Sequence, residues 1–146
     1  MTRFPVALIL GAMLWTCPAL AADGQSRGDL TIHVTGMRNT SGFVVIALAD
    51  SENTFLGKGP AYAQIRTRVQ GPDAVVTLRD IPWKDYAISV FHDENANGTL
   101  DRTMKGIPKE AYGYSNNARG KHGLPSFRMS RFSFRSQAQT IMISLH

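Results

Sequence analysis

The sequence predicts an all-β protein, a single antiparallel β-sandwich of the immunoglobulin-like or transthyretin-like kind with about seven strands. Two observations carry this: short stretches in which apolar and polar residues alternate, and turn residues that separate those stretches at regular intervals. Taken in order, Leu30, Ile32 and Val34 alternate with Thr31, His33 and Thr35, so the first strand buries one face and turns His33 to solvent. Residues 36–42, bounded by Gly36 and Gly42, read as a turn. Residues 43–49 are apolar on both faces, which predicts a central strand covered on both sides. Residues 54–62 fit either a helical turn or a loop. Ile65, Thr67 and Val69 alternate with Gln64, Arg66 and Arg68, Gly71-Pro72-Asp73 supplies a turn, and residues 74–78 return, a hairpin pattern. Further strands are expected over 86–91, 127–134 and 139–145, the last with Ile141, Ile143 and Leu145 on one face. Residues 93–126 are the exception, a long irregular loop rich in Gly, Asn, Pro and Lys; loops of this length are usually functional or separately stabilised.

The N-terminus reads as an export signal over residues 1–21, leaving 22–146 as the β-sandwich domain. Arg3 gives the positive end, the uncharged run from Phe4 to Trp15 the apolar core, and Ala19-Leu20-Ala21 the small-residue cleavage site. A membrane anchor would need ~20 apolar residues, about twice what stands between Val6 and Trp15, so no transmembrane span is expected after processing. The one cysteine, Cys17, lies inside this signal, so the mature chain is expected to carry neither a disulfide nor a thiolate metal site. A lipid-modified Cys17 is the alternative; Leu14 fits that pattern and Thr16 does not. The domain is therefore expected to work in the periplasm or the extracellular space.

Without Arg3, the sixteen basic residues become fifteen against eleven acidic ones, a formal charge of +4. The excess is uneven. Arg102, Lys105, Lys109, Arg119, Lys121, Arg128, Arg131 and Arg135 face a single acid, Glu110, over the C-terminal third. Such a segment suits an anionic envelope component: lipid head groups, an acidic polysaccharide or an acidic protein. Nucleic acid is not an expected partner outside the cytoplasm, and a solvated basic face is the plainer alternative.

The most informative stretch is Asp93-Glu94-Asn95-Ala96-Asn97-Gly98-Thr99-Leu100-Asp101, directly after a strand. Oxygen-bearing side chains at 93, 95 and 97, a glycine for the bend and a carboxylate at 101 match what Ca²⁺ requires, six to eight hard oxygen ligands. The candidate ligands are Asp93, Asn95, Asn97, the Thr99 carbonyl and Asp101. The spacing copies the first nine positions of an EF-hand loop, but Met104 stands where the bidentate Glu belongs. With asparagine in two of the positions, any site should be weak. Without an ion the same residues would form a turn whose side chains satisfy its own backbone.

An enzyme would have to draw on His92, Asp93, Glu110, Tyr114, Ser115 and His122, which would make the chain an envelope hydrolase with a site in the 92–122 region. Gly113-Tyr114-Ser115 is half of a nucleophile elbow, with Asn117 in place of the second glycine, and no histidine pair has metal-ligand spacing. No catalytic residue is assigned on this basis. A non-catalytic binding or structural module fits better, with Tyr112, Tyr114, Ser115, Asn116 and Asn117 offering the aromatic and amide groups suited to sugar or peptide contacts. Those residues could equally hold the long loop against the sandwich.

Several runs carry a family resemblance: Val90-Phe91-His92-Asp93-Glu94-Asn95-x-Asn97-Gly98-x-Leu100-Asp101, then Gly106-Ile107-Pro108-Lys109-Glu110-x-Tyr112-Gly113-Tyr114-Ser115-Asn116-Asn117-Ala118-Arg119-Gly120, then Pro125-Ser126-Phe127. Together with Leu30-Thr31-x-His33-Val34-x-Gly36 and Phe55-Leu56, this order resembles the bacterial family catalogued as domain of unknown function 2141. The resemblance spans nearly the whole mature chain and implies a small exported domain, with no agreed substrate or catalytic residues. Locally, Asp93, Asn95, Asn97 and Asp101 also resemble the loop of the B-type repeats of bacterial surface adhesins, which implies a structural Ca²⁺ there.

Overall fold

The computed structural model describes residues 24–121 and 123–146. The expected export signal and its cleavage site lie outside them, as does His122. Among the described residues eight strands form two sheets, against the seven expected. One sheet has the order β4-β1-β8, from β1 (Arg27–Thr35), β4 (Ala74–Pro82) and β8 (Ala138–Ser144). The other runs β3-β2-β5-β6, from β2 (Phe43–Ala49), β3 (Ala63–Arg68), β5 (Asp85–Asp93) and β6 (Tyr112–Tyr114), with the two-residue β7 (Phe132–Ser133) also paired to β5. The first strand lies parallel to the last, and all other pairings are antiparallel. The architecture is an all-β sandwich.

The core follows from the alternation. Leu30, Ile32 and Val34 of β1, Val44, Ile46 and Leu48 of β2, Tyr86, Ile88 and Val90 of β5 and Ile143 of β8 are buried between the sheets, with Phe134 and Leu145 closing the ends. β2 is central between β3 and β5, and Val45 and Ala49 on its second face are buried as well. That second face is covered by α1 (Glu52–Phe55), which packs on β2 and β5 and is closed by a capping box between Ser51 and Thr54. Of residues 54–62, only Thr54 and Phe55 belong to this helical turn, which starts two residues earlier, and 56–62 form a loop.

Two expectations are corrected. β3 and β4 do not form a hairpin: β3 pairs with β2, β4 pairs with β1, and Gly71-Pro72-Asp73 carries the chain from one sheet to the other. Alternation records which face of a strand is apolar, not which neighbour completes its hydrogen bonds. Residues 127–134 are not one strand. Ser126 accepts a hydrogen bond from the Met129 amide (3.3 Å) and caps α2 (Phe127–Ser130), so that only Phe132 and Ser133 reach β5. The segment 93–126 is also less irregular than expected, because it contains β6, a 3-10 turn over Ser115–Asn117 and a small bridge between Arg102 and Pro108.

Candidate functional site

β6 places the central residues. Tyr114 stands opposite Ser89 and Tyr112 opposite Phe91 on β5, both on the outer face of the five-stranded sheet, while Gly113 turns inward. A Cβ on Gly113 would lie 3.0 Å from Ile143 of the facing sheet, so this inward position has no room for a side chain. The strand escaped the sequence reading because three residues with a central glycine show no alternation.

The three residues after β6 act as a latch. Asn116 and Asn117 take left-handed conformations (φ 60° and 47°) that asparagine tolerates better than most residues. The Ser115 hydroxyl is buried; it accepts from the Ile88 amide (2.9 Å) and donates to the Ser130 carbonyl. The Asn116 amide donates to the carbonyls of Met129 (3.2 Å) and Arg131 (2.9 Å), and the Asn117 side-chain oxygen accepts from the Ser144 amide (2.9 Å). These contacts tie α2, β5 and β8 together. Among the described residues no hydrogen bond joins Ser115 to a histidine; the His92 Nε2 bonds the Ser41 carbonyl (2.7 Å) at the other end of β5.

Tyr112 and Tyr114 instead border open space. Three cavities of about 250, 160 and 130 Å³ are each lined by these two rings. Phe127, Phe55, Tyr114, Tyr112 and His146 form a chain of adjacent rings with centroids 4.5–6.0 Å apart. Arg102, Lys105 and Arg119 line the same cavities, with no Asp or Glu among the described lining residues. Burial pushes the Tyr114 hydroxyl up to about 12; Tyr112 adds to the shift and Arg102 opposes it. Burial also lowers His146 below 6.5, aided by the positive charge of Arg119 and opposed by a backbone bond at Ser144.

Beside this groove, the Asp93 loop closes on itself. The fully buried Asp93 carboxylate accepts through Oδ2 from the Gly98 amide (3.0 Å) and from Arg66 Nη2 (3.2 Å), whose guanidinium lies 3.5 Å over the Phe43 ring. Its Oδ1 is buried with no partner among the described residues. The Asn95 and Asn97 amides converge on the two oxygens of Asp101 (2.7 and 3.0 Å), and their own oxygens accept from the Asn97 and Thr99 amides. The loop thus joins the side chains of Asn95, Asn97 and Asp101 to one another, while Asp93 is held separately by Gly98 and Arg66. The described residues contain no cluster of three or more His, Cys, Asp or Glu arranged to hold a metal.

The residue the loop reading missed is Glu110. Nearly buried, its carboxylate accepts from the Glu94 amide through Oε1 and from the Asp101 amide through Oε2, both at 3.0 Å. One side chain therefore clamps both ends of the loop. The available signal was its isolation as the one acid in a basic third of the chain. The β1–β2 turn braces the other side, where Asn39 donates to Glu94 (2.8 Å) and Arg38 to the Lys109 carbonyl (2.6 Å).

Residues 32–142 match the model of a family described as an uncharacterized protein conserved in bacteria (DUF2141). No curated protein and no solved structure matches the chain.

Proposed function

The chain belongs to this uncharacterised family conserved in bacteria, and from that premise we propose that it is an exported, non-catalytic β-sandwich module that binds a cell-envelope ligand in the groove floored by Tyr112 and Tyr114. The observation that carries the reading is the division of labour after β5: Ser115, Asn116 and Asn117 are committed to internal bonds, while Tyr112 and Tyr114 line three cavities. The hydrolase alternative is disfavoured because the buried Ser115 hydroxyl is held between two backbone groups rather than beside a base. Of anionic vesicles and polygalacturonate, tested separately by thermal shift, at least one should raise the melting temperature of the intact protein. Tyr112→Ala should abolish the shift, and an unchanged shift in that variant refutes the groove.

A second reading is favoured by the unpartnered Asp93 Oδ1, since a buried carboxylate oxygen without a partner costs free energy that a cation would recover. Asp93, Asp101 and the Thr99 carbonyl carry hard oxygens, the donor type Ca²⁺ takes, and Asn95 and Asn97 would join them by turning their side-chain oxygens from the backbone amides, and their NH₂ groups from Asp101, toward the ion. They would hold it, and the ion would supply charge neutralisation across the loop. Because Arg66 already compensates Asp93 and only two carboxylates are present, affinity belongs at the weak end, about 10⁻⁴ to 10⁻³ M. Millimolar Ca²⁺ would then add only about 0.4–1.4 kcal/mol of stability. Calorimetric titration of the intact protein against Asp93→Ala and Asp101→Ala tests this, and absence of Ca²⁺ heat and stabilisation at several millimolar sinks it.

A further inference from the structure

The basic excess of the C-terminal third does not spread evenly over the folded surface. Arg131 and Arg135 are spent on Asp85 at 3.6 and 3.0 Å. Arg102, Lys105 and Arg119 make no ion pair among the described residues, and these three line the groove from which carboxylates are missing. Exposed aliphatic side chains share that rim. Ile107 and Leu124 line the cavity of about 250 Å³ together with Arg102 and Lys105, and both are more than half exposed. Met104, on the turn between Arg102 and Lys105, is fully exposed. Exposed apolar residues gathered in one place mark an interaction surface, whereas scattered ones do not.

We infer that this groove face docks on an anionic lipid surface, with Arg102, Lys105 and Arg119 at the head groups and Met104, Ile107 and Leu124 inserted at the boundary of the acyl chains. The inference rests on the groove reading above and names its ligand class. Cations beside exposed aliphatic side chains match the two faces of a lipid interface, since the cations are drawn to its negative potential and the aliphatic groups leave water. An acidic polysaccharide would satisfy the cations and leave the aliphatic rim in water. Sugar hydroxyls would also call for amide groups, and the nearby Asn116 and Asn117 are already committed to backbone partners.

Flotation of the purified protein with vesicles tests the inference. Binding to an equal mixture of phosphatidylglycerol and phosphatidylcholine should exceed binding to phosphatidylcholine alone and should weaken as salt rises. Each cation near such a surface contributes about fivefold, so Lys105→Gln with Arg119→Gln should weaken partition about 25-fold. Met104→Ser with Leu124→Ser should also weaken partition while leaving its salt dependence in place. All four side chains are at least partly exposed, so unchanged melting temperatures will show that the variants fold. Equal binding to both vesicle types, or partition unaffected by either double variant, overturns the lipid surface. Tyr112-dependent binding to polygalacturonate without vesicle binding overturns it too, yet keeps the groove as a binding site; binding to neither probe removes both.

Discussion

Replacing Glu110 by Gln should open the Asp93 loop without disturbing the sandwich core. The side chain is only 6% exposed, and each of its oxygens accepts one backbone amide, Glu94 through Oε1 and Asp101 through Oε2. Hydrogen bonds to a charged group contribute about 1.5–3 kcal/mol each, and a buried donor left without an acceptor costs a comparable amount. Glutamine keeps one acceptor but turns its NH₂ toward the second amide, so donor faces donor. The expected cost is about 2–4 kcal/mol, and about 3–5 kcal/mol for Glu110→Ala, which loses both bonds. A domain of this size loses about 3–5 °C of melting temperature per kcal/mol, so the Gln variant should melt roughly 6–20 °C lower. Amide hydrogen exchange gives the sharper readout. Protection at Glu94 and Asp101 should fall by about 30- to 1000-fold, since each 1.4 kcal/mol is tenfold, while the amides of β1 change only with global stability. Glu52→Gln, on the exposed surface of α1, serves as the control. If Glu110→Gln costs less than about 0.5 kcal/mol and leaves exchange at Glu94 and Asp101 unchanged, the clamp is wrong.

Gly42→Ala should be far more damaging, costing upwards of about 4 kcal/mol or preventing folding, because the new Cβ would lie 1.9 Å from the Asp93 carbonyl oxygen at φ +70°; expression yield and urea unfolding check it, and near-native stability would contradict it. Asn116→Ala should cost about 2 kcal/mol, from two lost bonds to Met129 and Arg131 and from an alanine held at positive φ; urea unfolding measures it, and a cost within 0.5 kcal/mol would deny the latch (about the scatter of neutral surface changes). His146 is held below 6.5 in the fold, so the unfolded chain binds more protons as pH falls through that value, and stability should decline from about pH 6.5 downward. His146→Gln should remove that part of the pH dependence, and an unaltered stability–pH curve would show that the histidine is not the source.

The β-sandwich was legible because burial between two sheets imposes a period of two, and Leu30/Ile32/Val34, Ile65/Thr67 and Ile141/Ile143 display it directly. Pairing was not legible. Both the hairpin expected for β3 and β4 and the observed crossing to the other sheet bury the same alternate residues, so the pattern is silent on which occurs. The 127–134 segment misled for a related reason. Phe132 and Phe134 do point into the core, but Phe127 packs on Phe55 outside it, and Pro125-Ser126, a helix-start signal, was the overlooked cue.

At the site, local sequence reaches as far as local hydrogen bonds do. The contacts among Asn95, Asn97, Thr99 and Asp101 span six residues or fewer and follow from spacing alone. Arg66 with Asp93, Asn39 with Glu94 and Arg38 with the Lys109 carbonyl span 27 to 71 residues and exist only once the sheets are assembled. The Tyr112–Asn117 run shows the same limit in another form. Composition marked all of its aromatic and amide side chains as candidates for ligand contact, whereas the backbone sorts them: pairing with β5 turns Tyr112 and Tyr114 outward, and the left-handed turn at Asn116 and Asn117 aims their amides at the protein's own backbone. Mutations in the second group should therefore act through stability. Those in the first should act through binding, and a variant that separates the two effects at adjacent positions, such as Tyr112→Ala against Asn116→Ala, is the most direct probe of what this loop does.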